Sequence, residues 1–183
     1  MAKVGILVGS LRKESFSKKL AHYVAGLFPD GYATEFVDID MPLYNQDYDD
    51  EHRDPAEYIT FRNTMKSIDA VLFVTPEHNR SIPAALKNAL DVGSRPYGES
   101  VWNGKPAAII SNSPGNLSGF GANHHLRQPL VFLNMPVMQQ PEAYVGNVAQ
   151  LLGEDGTISD RPTAEFLQSF VDAFVQWIET HRA

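Results

Sequence analysis

Residues 70–91 show most clearly how strands and helices alternate in this chain, and they read Ala70-Val71-Leu72-Phe73-Val74-Thr75-Pro76-Glu77-His78-Asn79-Arg80-Ser81-Ile82-Pro83-Ala84-Ala85-Leu86-Lys87-Asn88-Ala89-Leu90-Asp91. Residues 70–75 form a nearly continuous apolar run, which is typical of a strand buried on both faces of a parallel sheet. After a polar loop, Ser81 is predicted to begin a helix that carries Leu86, Ala89 and Leu90 on one face. A buried strand, a loop and an amphipathic helix in this order are typical of α/β proteins.

The same alternation extends in both directions along the chain. Further strands are predicted at Val4–Val8, Thr34–Ile39, Ala107–Ile110 and from Val137-Met138 onward. Further helices are predicted at Ser17–Phe28, from Asp54 to Ser67, at Asn123–Leu133 and at Thr163–His181. Asp54 is predicted to cap its helix, with Pro55 in the first helical position and Glu57 completing a capping box. The acidic and aromatic segment 40–53 is predicted to be a long loop.

Strands that alternate with helices predict a parallel sheet with helices on both faces, which is a three-layer α/β sandwich. Five strands favour the flavodoxin-like order 2-1-3-4-5, and the length suits a single domain over residues 1–183. Ligands of such sheets bind beyond the carboxyl ends of the strands, where the strand order reverses. Three loops are therefore expected to carry the function: residues 9–17, 76–81 and 111–119.

The composition excludes several classes of protein. The chain has no cysteine, so disulfide scaffolds, cysteine-bound zinc and dithiol redox motifs are ruled out, and any redox chemistry needs a bound cofactor. The 15 basic residues against 22 acidic ones give a net charge of −7, which disfavours a nucleic-acid partner. No targeting segment or membrane span is recognisable, so we expect a cytoplasmic protein with no membrane partner.

The first loop, residues 9–17, combines three serines and an arginine just before a predicted helix. Free amides at a helix start, the positive end of its dipole and nearby hydroxyls together favour a bound phosphate. Ser10, Arg12, Ser15 and Ser17 are therefore candidate phosphate ligands, with the Arg12 guanidinium as the charged donor. The alternative is ordinary helix capping by Ser15 or Ser17, with Arg12 in solvent.

The common nucleotide and hydrolase motifs are missing from the sequence. Gly104-Lys105 is followed by Pro106, so the P-loop pattern fails, and no G-x-G-x-x-G follows the first strand. The G-x-S-x-G and H-E-x-x-H signatures of common hydrolases are also absent. His124 and His125 are adjacent and point in different directions on a helix, so no metal site is predicted.

A longer pattern runs through the second loop and the helix after it, in Pro76, Glu77, Asn79, Ser81, Pro83, Leu86, Lys87, Asn88, Ala89, Leu90 and Asp91. The first loop adds Gly9, Ser10, Leu11, Arg12 and Ser15. In these residues the chain resembles the NADPH-dependent FMN reductase family, which includes soluble quinone and chromate reductases. Residues 125–128, 132–133 and 141–142 are similar to the family too, so the resemblance covers essentially the whole chain. The chain departs from the family at His78, where relatives usually have Tyr, and at Ser17, where they have Asn.

The resemblance implies non-covalently bound FMN, NAD(P)H as co-substrate, a quinone or similar small molecule as electron acceptor, and a homodimer or homotetramer. It places the flavin phosphate at Ser10, Arg12, Ser15 and Ser17, the ring at Pro76, Glu77, His78, Asn79 and Ser81, and the remaining flavin edge at Ser111, Ser113 and Gly115. Backbone amides from Glu77 to Asn79 suit the ring, because such donors stabilise the charge on a reduced flavin. No side chain is required as an acid or base, so no catalytic residue is predicted.

Two other functions stay open at this point. A flavodoxin-type electron carrier would bind FMN without oxidising NAD(P)H, and a relative that has lost its cofactor is suggested by His78 and Ser17. The second loop also has a purely structural interpretation, a turn in which Asn79 and Ser81 cap the helix. Lys87 and Asp91 are predicted to form a surface pair.

Overall fold

The computed structural model describes residues 1–181, and the five strands found there form one parallel sheet. The strands are β1 (Ala2–Val8), β2 (Tyr32–Phe36), β3 (Ala70–Pro76), β4 (Ala107–Asn112) and β5 (Ala143–Val145). Their order is β2-β1-β3-β4-β5, with every neighbouring pair parallel. The predicted flavodoxin-like strand order is therefore confirmed.

The helices of residues 1–181 cover both faces of this sheet. They are α1 (Phe16–Ala25), α2 (Gln46–Asp50), α3 (Ala56–Lys66), α4 (Ala84–Gly93), α5 (Phe120–Phe132), α6 (Val148–Leu151) and α7 (Arg161–His181). None of these helices combines the length and the apolar character that a membrane crossing requires.

Alternation of side chains along the strands produces two separate hydrophobic cores. On one face, Leu7 and Phe73 belong to a core completed by α3, α4 and α5. On the other face, Ile6 and Leu72 pack with residues of α1 and α7. All four of these strand side chains are fully buried, as expected for strands covered on both sides. The result is the predicted three-layer sandwich.

The prediction that the fifth strand begins at Val137-Met138 is wrong. Val137 forms only an isolated bridge with Ala107, and the chain returns to the sheet at Ala143, opposite Ile110. Pro141 lies in the intervening polar segment and has no amide to donate, so that segment cannot continue the ladder.

The segment 40–53 contains the short helix α2, so the prediction of a loop throughout is also wrong. Asn45 caps this helix by accepting a hydrogen bond from the Asp47 amide at 3.0 Å. The segment is anchored by Asn88 of α4, whose Oδ1 accepts from the Tyr44 amide at 2.8 Å and whose Nδ2 donates to the Pro42 carbonyl at 2.8 Å. Asn88 is thus a structural residue that holds 40–53 against the domain.

Asp54 does not cap α3, contrary to the predicted capping box. The residue at the cap position is Pro55, and no side chain caps the helix there. The Asp54 carboxylate instead lies 3.1 Å from the Arg62 guanidinium, which also meets the buried Asp49 carboxylate at 2.9 Å. The attraction between two opposite charges in this partly buried site exceeds that between the carboxylate and a backbone amide.

Candidate active site

The three predicted loops meet at the carboxyl edge of the sheet and enclose a cavity of about 520 Å³, which we call the first cavity. Its wall consists of residues from 9–17, 76–85 and 112–114. Predicted site residues on this wall are Ser10, Arg12, Ser15, Ser17, Pro76, Glu77, His78 and Ser113. The size is within the usual range of small-molecule sites, roughly 300–1,000 Å³.

The amino end of α1 forms one side of the first cavity. Ser15 occupies the cap position in an extended conformation, and its Oγ accepts a hydrogen bond from the Lys18 amide at 3.3 Å. The amides of Phe16 and Ser17 lie in the first turn, where a helix has no internal acceptor for them. Two free amides at the positive end of the helix dipole favour an anion at this point.

Arg12 is the only arginine or lysine among the described residues on the wall of the first cavity. Its guanidinium donates to the Glu14 carbonyl and lies over the Phe16 ring, with 5.6 Å between the guanidinium carbon and the ring centroid. The side chain is exposed to solvent. One of five N–H donors is used by Glu14, so the others remain available to an anion.

The hydroxyl of Ser17 is less available to a ligand than predicted, because it is buried against Asn112. Asn112 Nδ2 donates to Ser17 Oγ at 2.9 Å and lies 3.3 Å from the Thr75 carbonyl. Ser17 is 1% exposed and Asn112 is 2% exposed. This contact joins α1, β3 and β4 beneath the first cavity. Sequence reasoning missed Asn112, although its position at the end of a predicted strand was a usable signal.

Glu77 fixes the second loop to the start of α5. Its Oε1 lies 3.0 Å from Arg80 Nη1, and its Oε2 accepts from the Ala122 amide at 3.2 Å. The cap residue of α5, Gly119, has no side chain to satisfy that amide, so Glu77 supplies the acceptor from another part of the chain. The carboxylate is therefore engaged in holding the loop, and Glu77 also lines the first cavity.

The predicted helix start at Ser81 is wrong, since α4 begins at Ala84 after Pro83. Residues 78–81 instead form a tight turn, in which the amide of each end residue donates to the carbonyl of the other at 2.9 Å. Asn79 and Arg80 have positive φ angles of 51° and 66° at its tip. Neither Asn79 nor Ser81 caps the helix, because the cap position is occupied by Pro83 and no side chain makes a cap hydrogen bond there.

Asn79 and Ser81 lie on a second cavity of about 760 Å³, between this turn, α4 and α5. His78 and Ala84 line both cavities, so the two adjoin at this point. Ser81 Oγ is 2.7 Å from His125 Nδ1, and both side chains belong to the wall of the second cavity. The sequence predicted Ser81 as a flavin contact, whereas the structure pairs its hydroxyl with a histidine.

The third loop brings only part of its predicted set to the first cavity. Ser113 is on the wall, and its hydroxyl donates to the Gly115 carbonyl at 2.8 Å. Ser111 is fully buried and donates to the Ser118 carbonyl at 2.9 Å, so it stabilises the loop from inside. Gly115 lies off the wall, and a Cβ atom there would meet nothing within 4 Å.

Comparison with known proteins identifies the family of this chain. A model of the family described as NADPH-dependent FMN reductase matches residues 2–150. The chain belongs to this family. It is 54% identical over 181 residues to a quinone reductase of Pseudomonas putida, covering 98% of this chain and 96% of that protein.

Two further relatives match at least 98% of the chain. A 2-hydroxy-1,4-benzoquinone reductase of a Burkholderia species is 43% identical over 181 residues, covering 98% of each chain. The structure of FerB, a flavoenzyme NAD(P)H:(acceptor) oxidoreductase of Paracoccus denitrificans, matches with a TM-score of 0.94 and 40% identity over 100% of both chains. The resemblance inferred from the motifs is confirmed, together with the assignment to FMN-using, NAD(P)H-dependent oxidoreductases.

Asn112 lies next to Ser17, one of the positions at which this FMN reductase departs from the family pattern. At Ser17, where relatives usually have Asn, the hydroxyl lies within hydrogen-bonding distance of the Asn112 amide. An amide group therefore remains beside the start of α1 despite the substitution. His78, which replaces the usual Tyr, is exposed on the boundary between the two cavities.

His124, the other histidine of the adjacent pair, lies in a different environment from His125. His124 Nε2 is 2.9 Å from the Tyr144 hydroxyl, outside both cavities. Burial, together with a hydrogen bond and the charge of Glu142, raises the pKa of Tyr144 to about 12. In residues 1–181, no three His, Cys, Asp or Glu side chains are grouped as a metal site would require.

Proposed function

We propose that residues 1–183 form one domain that binds FMN non-covalently in the first cavity and passes electrons from NAD(P)H to quinones. The observation that carries this proposal is the convergence of loops 9–17, 76–81 and 112–114 where the strand order reverses, around a cavity whose wall combines polar and apolar residues. The quinone part is supported by the names of the Pseudomonas and Burkholderia relatives.

The polar groups of the first loop suit the phosphate of FMN. They are the hydroxyls of Ser10 and Ser15, the exposed guanidinium of Arg12 and the first-turn amides of α1. These groups are all hydrogen-bond donors, and the helix dipole adds positive potential. The buried Ser17–Asn112 pair holds the first turn in place beneath them.

The apolar residues of the wall suit the flat ring system. Pro76, Pro83, Ala84 and Pro114 provide apolar wall, and the rigid turn at His78 borders it. When bound, FMN would supply the redox chemistry itself, taking a hydride from NAD(P)H and giving electrons to the acceptor. The residues of this wall would orient the ring. Glu77 holds the second loop in position through its bonds to Arg80 and Ala122.

Replacing Arg12 with alanine should weaken FMN binding by roughly 1.5–3 kcal/mol, about 10- to 150-fold in Kd. The physical reason is loss of a charged donor to the phosphate, and quenching of flavin fluorescence during titration measures it. Lys13→Ala is the matched control, because Lys13 is a cation of the same loop that does not line the first cavity. Equal Kd values for both variants and the wild type would show that Arg12 plays no part in binding.

An anaerobic titration of the FMN-loaded protein with NADH or NADPH tests the function itself. We expect the visible absorbance of the oxidised flavin to bleach with the nicotinamide and to return when 1,4-benzoquinone is added. A flavodoxin-type carrier would bind FMN without bleaching, and a relative without a cofactor would take up no FMN. Comparison of the two nicotinamides also identifies the preferred donor.

We further propose that the protein works in the cytoplasm as a homodimer or homotetramer. The family resemblance supports this assembly, and so does a pair of exposed apolar residues at the end of α5, Val131 at 72% and Phe132 at 89% exposure. Light scattering during size-exclusion chromatography measures the assembly directly, and a monomer at all concentrations would exclude it.

A further inference from the structure

The second cavity has the character of a site for a small planar molecule. Ile82, Pro129 and Phe132 supply apolar wall, and His125 and Gln128 add polar groups. Pockets that bind small organic ligands combine apolar walls with few polar groups in this way. The cavity adjoins the first cavity at His78 and Ala84, which line both.

The charges around this cavity favour a neutral occupant. Its only lysine or arginine among the described residues is Lys87, whose Nζ lies 2.7 Å and 2.9 Å from the two carboxylate oxygens of Asp91. A dinucleotide phosphate would have to compete with that carboxylate. A quinone carries no charge and offers two carbonyl oxygens, so the available donors suit it better.

His125 is the polar group in this cavity best suited to a proton transfer. Its Nδ1 is held 2.7 Å from Ser81 Oγ. A serine hydroxyl can both accept and donate a hydrogen bond, so Ser81 can pair with either protonation state of the ring. With Nδ1 occupied, Nε2 is the nitrogen left for a ligand. The side chain is also exposed, so solvent can return a proton after each turnover.

We propose that His125, oriented by Ser81, donates a proton to a carbonyl oxygen of a quinone bound in the second cavity. This inference rests on the proposed function. A quinone becomes a hydroquinone when it gains a hydride, which originates on NAD(P)H, and one proton. The Nε2–H bond of protonated His125 breaks as the O–H bond of the product forms, and the neutral ring then takes a proton from water.

The test compares two acceptors that differ in their need for a proton. FMN-loaded protein is reduced with dithionite, so that the acceptor step is measured whether or not NAD(P)H is the donor. Reoxidation by 1,4-benzoquinone and by ferricyanide is then followed by stopped-flow absorbance. Ferricyanide takes one electron and no proton, so its rate reports electron transfer alone.

We expect His125→Leu to slow reoxidation by benzoquinone about 100-fold, the low end for a positioned proton donor, and to leave the ferricyanide rate unchanged. Ser81→Ala should slow the quinone step roughly 2- to 10-fold, as expected for loss of one orienting hydrogen bond. His124→Leu is the matched control, because this neighbouring histidine faces Tyr144 outside the cavity, and both rates should stay at the wild-type level.

Two results would overturn the proposal. The first is an unchanged rate of reoxidation by benzoquinone in His125→Leu. The second is an equal fractional loss of the reoxidation rate with both acceptors, which would indicate a structural role for His125. His125→Gln serves if the leucine variant does not fold, and a quinone rate at the wild-type level there excludes proton donation. Failure of NADPH to bleach the wild-type flavin, with the dithionite experiment as expected, would instead contradict the proposed function and leave the role of His125 standing.

Discussion

Arg62→Leu is expected to lower the free energy of unfolding by about 3–5 kcal/mol, because it leaves the buried Asp49 carboxylate without its nearest cationic partner. Arg62 Nη2 lies 2.9 Å from Asp49 Oδ1, and the side chains are only 9% and 4% exposed. Arg62 also donates through Nε to the Val92 carbonyl at 3.0 Å. For a chain of this length the loss corresponds to roughly 6–20 °C in Tm, measurable by urea and thermal unfolding.

Lys87→Ala is the control for the Arg62 variant. Lys87 and Asp91 also form an ion pair, but their side chains are 52% and 42% exposed. We expect a loss of about 0.3–0.5 kcal/mol, as measured for exposed pairs one helical turn apart. If the two variants lose similar amounts of unfolding free energy, burial is not the reason for the contribution of the Asp49–Arg62 pair.

The Arg62 effect should depend on pH. Burial acts to raise the pKa of Asp49, but hydrogen bonds from Tyr44 and Arg62 and the charge of Arg62 outweigh it and hold the pKa below its ordinary value of 3.8. Since the folded pKa is the lower one, this stabilisation is present above the unfolded pKa and is lost as the pH falls through the folded pKa.

The variant lacks two of the causes that lower the pKa of Asp49, while the burial that raises it remains. Its stability should therefore fall less on acidification than that of the wild type. The difference in free energy of unfolding between the variant and the wild type is expected to narrow below about pH 4. Urea unfolding from pH 7 to pH 3 measures this difference. A gap that stays constant would show that the carboxylate charge is not involved.

Asn112→Leu is expected to cost about 2–4 kcal/mol of stability and to weaken FMN binding. The leucine leaves the buried Ser17 hydroxyl without the amide that donates to it at 2.9 Å, and removes the contact with the Thr75 carbonyl. Because these contacts join α1 to the ends of β3 and β4, the phosphate-binding turn should lose its fixed position. Urea unfolding and a fluorescence titration with FMN measure the two effects.

Asn116→Ala is the control for Asn112. Asn116 belongs to the third loop and is exposed, and its side-chain Oδ1 accepts a hydrogen bond from Asn147 Nδ2 at 3.0 Å. Its replacement should change stability by no more than about 0.5 kcal/mol. In the double variant Ser17→Ala with Asn112→Leu, no unpaired hydroxyl remains. Its loss of unfolding free energy should therefore be smaller than the sum of the losses in the two single variants. Additive losses would contradict a direct coupling between the two side chains.

The sequence alone was sufficient for the strand order, because the order follows from local patterns. The apolar run at residues 70–75 indicates a strand, and the apolar stripe of α7 indicates a helix. The alternation of strands and helices along the chain then leaves few possible topologies. The first loop could likewise be recognised, since a polar, serine-rich turn between a buried strand and a helix has a local chemical meaning. The family motif in residues 76–91 added the flavin.

The tertiary structure decided which partner each polar side chain takes. Asp54 looked like a helix cap, yet it pairs with Arg62, and Ser81 looked like a helix start, yet it meets His125. Ser17 and Asn112 are far apart in the chain and touch only because β1 and β4 end at the same edge of the sheet. Hydrophobic periodicity repeats within each element, so it can be recognised from a short stretch of sequence. A single hydrogen bond between distant residues depends instead on the position of every element between them.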